Sequence, residues 1–207
     1  MTEKLAAVQD PELNKAKALA DSKAGALLHL DEDVVQEQAE NLADAMDEVL
    51  EGAPRVLITG AAGSGKSTLA EKLGSVLGLK HFIFDEYIPG GWTSDKDEYT
   101  RRFQKGLYEL WEHVPQKKGW VIEHVEACHP DFVGLYHPDF VVLVDPGDER
   151  LRAAAAARTS VMGSDTKDSA RLDRALQTDK KAKAQFNALP GEVVFKMPGF
   201  VLKKVEG

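Results

Sequence analysis

A single cysteine, Cys128, among 207 residues excludes an internal disulfide framework and fits a reducing compartment. Long apolar stretches are missing as well. None approaches the ~18 residues that a membrane-spanning helix needs, and Met1-Thr2-Glu3-Lys4 leads into mixed polar sequence rather than a signal peptide. The expectation is a soluble, cytoplasmic chain with no membrane partner. Internal repeats are absent, and the alanines from 153 to 157 are helix-favouring composition rather than a low-complexity tail. His124, Cys128, His129 and His137 lie close together, but their spacing matches no zinc pattern. Cys128 has no nucleophile motif around it.

The charge is uneven. The net value is −8, yet residues 1 to 54 carry four Lys/Arg against thirteen Asp/Glu, while residues 150 to 207 carry twelve against six. The acidic end is expected either to dock on the basic end or to leave it free for an anionic substrate. An apolar fraction of 43% supports one sizeable core with an extension. Apolar periodicity predicts helices over 12–28 and 33–51, the second with Leu42, Met46, Val49 and Leu50 on one stripe. Gly52-Ala53-Pro54 ends that helix. The domain reading is an acidic helical extension over 1–54 and a second unit over 55–207.

From Arg55 onward, short apolar runs alternate with helical patterns: Val56 to Thr59, His81 to Phe84, Trp120 to Val125, Phe140 to Val144 and Glu192 to Met197. Such alternation predicts an α/β fold with a parallel sheet covered on both faces. Ligands of these sheets sit beyond the carboxyl ends of the strands, where Lys66, Asp85, Glu123 and Asp145 fall.

The strongest motif is Gly60-Ala61-Ala62-Gly63-Ser64-Gly65-Lys66-Ser67, which fits G-x-x-x-x-G-K-[ST] between a strand and an amphipathic helix. Glycines at 60, 63 and 65 let the backbone wrap an anion so that amides near Ser64 and a helix N-terminus point at phosphate. Lys66 adds a mobile positive charge, the Ser67 hydroxyl is placed for Mg²⁺ and Thr68 for the α-phosphate. The expected cofactors are therefore ATP and Mg²⁺.

Other candidates flank this loop. Asp85 closes the second strand, where a carboxylate can orient and deprotonate an acceptor hydroxyl; a turn or cap role is the alternative. Glu123 is an acidic residue inside an apolar strand, where holding Mg²⁺ through water would compensate its charge; a surface-facing position is the alternative. His124 is expected to line the site beside it. Arg150, Arg152, Arg158, Arg171 and Arg174 surround a Gly163-Ser164-Asp165 break and suggest a lid over about 158–175, with Arg158 nearest the γ-phosphate. Trp92 can stack on an acceptor ring or plug the core. Phe103, Leu107, Leu110 and Trp111 repeat at helical spacing and read as core.

Taken together, the loop at 60–67, Asp85 at its strand end, Tyr87-Ile88-Pro89-Gly90-Gly91-Trp92, Trp120-Val121-Ile122-Glu123 and the arginine-bearing lid resemble the adenylate-kinase-like P-loop kinases. The likeness is to their topology-modulation branch and spans about residues 55 to 187. It implies a P-loop three-layer sandwich with a five-stranded parallel sheet ordered 2-3-1-4-5, a helical lid and an acceptor region after the second strand. Two departures stand out. Glu123-His124 replaces the branch's Asp-Gly, and the paired-arginine lid of nucleoside monophosphate kinases is missing, which argues against a standard monophosphate substrate.

Three functional readings follow. The first is an ATP-dependent phosphotransferase acting on a hydroxyl or phosphate of a nucleoside, nucleotide or similar small polar acceptor. Lys66, Asp85 and Arg158 would be its catalytic residues, with Asp85, Trp92 and His124 on the substrate. The second keeps that chemistry but takes DNA as acceptor, in the manner of P-loop kinases of 5-hydroxymethyluracil bases. Lys180, Lys181 and Lys183 would then track phosphates. The third is not a phosphotransferase but a nucleotide-binding or NTP-hydrolysing module whose helical extension docks a partner.

Overall fold

The computed structural model describes residues 32–91, 93–115, 118–154 and 168–206. The predicted helix over 12–28, Trp92, Arg158 and most of the predicted lid lie outside the described residues. The chain is α/β, with a six-stranded mixed sheet between helices. In chain order the elements are α1 (Glu32–Asp47), β1 (Arg55–Gly60), α2 (Lys66–Leu77), β2 (Lys80–Ile83), a 3-10 turn (Phe84–Tyr87), α3 (Lys96–His113), β3 (Trp120–Glu123), α4 (Pro130–Tyr136), β4 (Phe140–Val144), α5 (Asp168–Ala188), β5 (Glu192–Met197) and β6 (Phe200–Lys204). Residues 148–154 are also helical.

The strand order is β2-β3-β1-β4-β6-β5. The first four are parallel, in the expected order 2-3-1-4. The expected fifth strand does not pair with β4: β5 runs in the same direction as β4 but lies at the edge, with an unpredicted β6 between them. β6 pairs antiparallel with β4, and β5 pairs antiparallel with β6 at the edge. The cause is local. Pro198-Gly199 joins Met197 to Phe200 in a two-residue turn with Gly199 at φ 87, so the chain folds back after β5 and β6 enters the sheet between β4 and β5. A hairpin strand must run antiparallel to its partner, so β6 takes the place beside β4 and leaves β5 at the edge.

Alternation along the central strands builds two cores. Leu57, Ile122, Val141 and Leu143 face α3, α4 and α5, where Phe103, Leu110, Phe132 and Phe186 are buried. Val56, Ile58, Val121 and Val142 face α1 and α2, where Leu42, Met46, Leu69 and Leu73 are buried. β1, β3 and β4 are therefore apolar at nearly every position, the signature of a sheet covered on both sides. The apolar stripe of α1 lies against α2 and the sheet, with Val49 and Leu50 packed at its margin. At the end of the sheet away from the glycine loop, the Arg55 guanidinium grips Asp139 through Nε (3.0 Å) and Nη2 (2.7 Å), and the Arg55 amide donates to the same carboxylate at 2.8 Å. This clamp ties the starts of β1 and β4 together.

Basic residues of the C-terminal third serve this packing. Lys181 pairs with Glu126, and Lys183 bridges Asp145 at 2.8 Å and Asp179 at 2.7 Å. Lys203, buried in β6, donates to the carbonyls of Phe186 and Leu189 at the end of α5. Lys204 reaches the Val49 carbonyl just beyond α1. Among the described residues, no helix is long and apolar enough to cross a membrane.

Candidate nucleotide and acceptor site

The loop between β1 and α2 is shaped by its glycines. Gly60 has φ 146, and a Cβ there would lie 2.5 Å from the Val144 carbonyl oxygen and 2.9 Å from Ser64 Oγ. Only glycine lets the loop leave β1 so close to β4. Gly65 caps α2 in the left-handed region at φ 95. The Leu69 N–H closes the first turn of α2 on the Gly65 carbonyl at 3.0 Å. By helix geometry, the first amides of α2 stand at its positive end. The other end of α2 is closed by Gly78 at φ 64, with the Leu79 amide returning to Gly74 at 2.8 Å, a Schellman arrangement.

Ala62 to Thr68, Asp85, Glu123, Val125, Pro146, Arg150 and Ala154 enclose an open cleft of about 350 Å³. Lys66 Nζ donates to the loop's own Ala61 carbonyl at 3.0 Å. Ser64 Oγ is buried without a hydrogen-bond partner. A buried hydroxyl on a glycine loop, beside a lysine and a helix N-terminus, is suited to an anion that would satisfy all three.

Glu123 comes from the opposite wall. Ile122 faces α3, so alternation turns Glu123 toward α2, where its Oε1 accepts a 2.7 Å hydrogen bond from Ser67 Oγ. The two oxygens form a hard donor pair of the kind Mg²⁺ takes when phosphate and water supply the remaining ligands. Among the described residues no three His, Cys, Asp or Glu side chains converge on a metal position.

One residue further on, the next side chain points the other way. His124 is 1% exposed and sits among Phe84, Phe103 and Phe132, with ring centroids 4.8, 5.8 and 6.1 Å away. It lies beneath the cleft wall rather than on it. Its Nε2 is 3.2 Å from Asp85 Oδ1, and its Nδ1 accepts the Glu126 amide at 3.1 Å.

Asp85 belongs not to a strand end but to the 3-10 turn, because β2 stops at Ile83 and Phe84 turns inward to fill the core. α3 presses on this turn through Gly106, where a Cβ would stand 2.9 Å from the Tyr87 carbonyl. The Asp85 side chain is 72% exposed. The hydrogen bond from His124 holds its carboxyl below the usual aspartate range, with burial the weaker, opposing influence and the charge of Lys66 a further aid. Nearby Tyr99 is pushed well above the ordinary phenol range, first by burial and then by the charges of Glu126 and Asp85.

The structure thus brings Lys66, Ser67, Thr68, Asp85 and Glu123 to one cleft. Asp145 is elsewhere, tied to Lys183 and to the Gly147 amide. Arg150 is the described arginine that lines the cleft; it stands in the first turn of the helical stretch after β4, three residues past Gly147. Its place near the amino end of that stretch was the available signal, set aside in favour of an arginine closer to the glycine break. Cys128 is buried, and burial pushes its thiol up to about 12, which makes it a core residue rather than a nucleophile. No family model matches the chain and no curated protein matches it, so the functional reading stands on this site alone.

Proposed function

We propose that the cleft binds ATP with Mg²⁺ and transfers the γ-phosphate to a hydroxyl or phosphate of a nucleoside, nucleotide or similarly small polar acceptor. The observation that carries this reading is the meeting of three chemistries in one cleft: the glycine loop with Lys66, the Ser67–Glu123 oxygen pair and the Asp85 carboxylate. A module that only binds a nucleotide has no use for the third.

In this mechanism the loop amides and the orphan Ser64 hydroxyl bind the phosphates, and Lys66 leaves the Ala61 carbonyl to follow the charge that develops on them. Ser67 and Glu123 would hold the magnesium, whose contribution when bound is to neutralise phosphate charge. Asp85 accepts the proton of the acceptor group and aims its oxygen at the γ-phosphorus. Arg150 adds positive charge from the β4 side of the cleft. The reading as a DNA kinase is weakened, since of Lys180, Lys181 and Lys183 the last two are held by carboxylates of this chain.

The test is transfer of labelled γ-phosphate from Mg·ATP to pooled nucleosides, nucleotides and DNA with ordinary or hydroxymethylated bases. Label in a small acceptor, lost in Asp85→Ala by roughly 10²-fold or more in kcat with the KM for ATP little changed, supports the proposal. Release of inorganic phosphate alone, equal in Asp85→Ala and wild type, replaces it with the NTPase reading; label in DNA replaces it with the DNA-kinase reading.

A further inference from the structure

His124 holds both of its ring nitrogens in use while touching no solvent. The Glu126 amide can donate only to an unprotonated nitrogen, so its 3.1 Å contact assigns Nδ1 as the acceptor. The proton of the neutral ring then sits on Nε2, 3.2 Å from Asp85 Oδ1. Three phenylalanine rings fix the plane of the imidazole, and the backbone of His124 is pinned to β1 by its own amide, which donates to the Ile58 carbonyl at 3.1 Å. Neither the ring nor the chain that bears it has room to turn. Asp85, by contrast, is mostly exposed, and the described residues give its carboxylate no other hydrogen-bond donor. A solvent-facing aspartate on a 3-10 turn would ordinarily sample several rotamers.

We propose that His124 is a positioning residue: as the neutral Nε2–H tautomer it anchors one oxygen of Asp85, so that the other oxygen is presented to the acceptor in a single orientation. This rests on the phosphotransferase reading for its consequence, though not for the pairing itself. The arrangement follows the logic by which a buried partner holds a functional group in one orientation and tautomer, here with the imidazole as the orienting group and the carboxylate as the oriented one. It also explains why a histidine occupies the position after Glu123. Glycine would leave the turn carboxylate unanchored, and an apolar residue would fill the aromatic cage without reaching it.

Two measurements test this. Nuclear magnetic resonance of nitrogen-labelled histidine, with His124→Asn identifying the signal among the six histidines, reads the tautomer without any substrate. The expected result is an unprotonated Nδ1 and an Nε2–H whose proton exchanges slowly, with exchange accelerated in Asp85→Ala. A protonated Nδ1, or an Nε2–H signal unmoved by Asp85→Ala, overturns the proposal. The second measurement compares two side chains in phosphate transfer. His124→Asn keeps an acceptor near the Glu126 amide but is too short to reach Asp85, whereas His124→Gln extends an amide N–H toward it. His124→Asn should lower kcat roughly 10- to 100-fold with the KM for ATP within about twofold, and His124→Gln should recover most of the loss. Equal losses in both variants, or a rise in the KM for ATP to match, would mean that the residue only supports the fold. If wild type transfers no phosphate, the kinase reading falls, while the resonance result still decides the pairing.

Discussion

Replacing Gly60 with alanine is the most exacting test of how the glycine loop is held. Two effects add. The backbone at φ 146 lies where only glycine is comfortable, a strain of roughly 1–3 kcal/mol for any other residue. The new methyl would also stand 2.5 Å from the Val144 carbonyl oxygen, well inside ordinary contact, and that oxygen belongs to the strand paired with Gly60. Backbone cannot swing aside as a side chain can, so relief means moving β4, an overpacking penalty of roughly 1–3 kcal/mol. The sum is about 4 kcal/mol, or some 8–16 °C in Tm for a chain of this size. Gly52→Ala is the control, since it shares a positive φ of 108 but meets nothing within 4 Å; only the strain, about 2 kcal/mol, should remain. Urea unfolding at unchanged m-value gives both numbers. If the two variants lose the same stability, the close approach of loop and β4 contributes nothing and the reasoning fails.

Three further outcomes are expected. Ser67→Ala removes the hydroxyl that pairs with Glu123, so calorimetry should find ATP affinity reduced roughly tenfold with Mg²⁺ present and nearly unchanged in chelator; equal losses in both would refute a metal role. Cys128, buried with its thiol pushed up to about 12, should resist a thiol reagent at pH 8 until the protein is unfolded. Because the unfolded thiol ionises near ~8.5 while the folded one stays protonated, the chain should lose stability as pH rises from there toward 12, and Cys128→Ala should flatten that slope. Asp139→Ala deletes both guanidinium contacts and the acceptor of the Arg55 amide and should lower unfolding stability by roughly 2 kcal/mol, with a smaller loss in Arg55→Ala, which spares the amide bond.

Much of the frame was legible in the residues. The apolar runs that became β1 and β4 are buried throughout the sheet, and such runs announce themselves by composition. Phe103, Leu107 and Leu110 are core, as their spacing required. The hairpin was missed because Phe200-Val201-Leu202 is a short run followed by two lysines, and a lysine in a strand reads as surface. Lys203 is buried because the carbonyls at the end of α5 receive it, a tertiary fact no local pattern carries. Pro198-Gly199 was the signal that would have found the turn. The glycine loop was plain from its motif. The burial of His124 was not, because a histidine after an acidic residue looks like a second polar group on the same surface, and only the alternation of β3 sends the two to opposite faces.

That alternation has a mechanical meaning. Glu123 and His124 are consecutive, about 3.3 Å apart along the chain, and from that one peptide the first reaches the helix after the glycine loop while the second reaches the turn that carries Asp85. The helix after the glycine loop and the turn that carries Asp85 are geared to a common shaft. β3 is clasped on both sides by β2 and β1, so the shaft cannot slide without undoing the sheet. Insertion or deletion of one residue within it would exchange the two directions and break both contacts together, whereas the loops around the cleft are free to diverge and retune what it accepts.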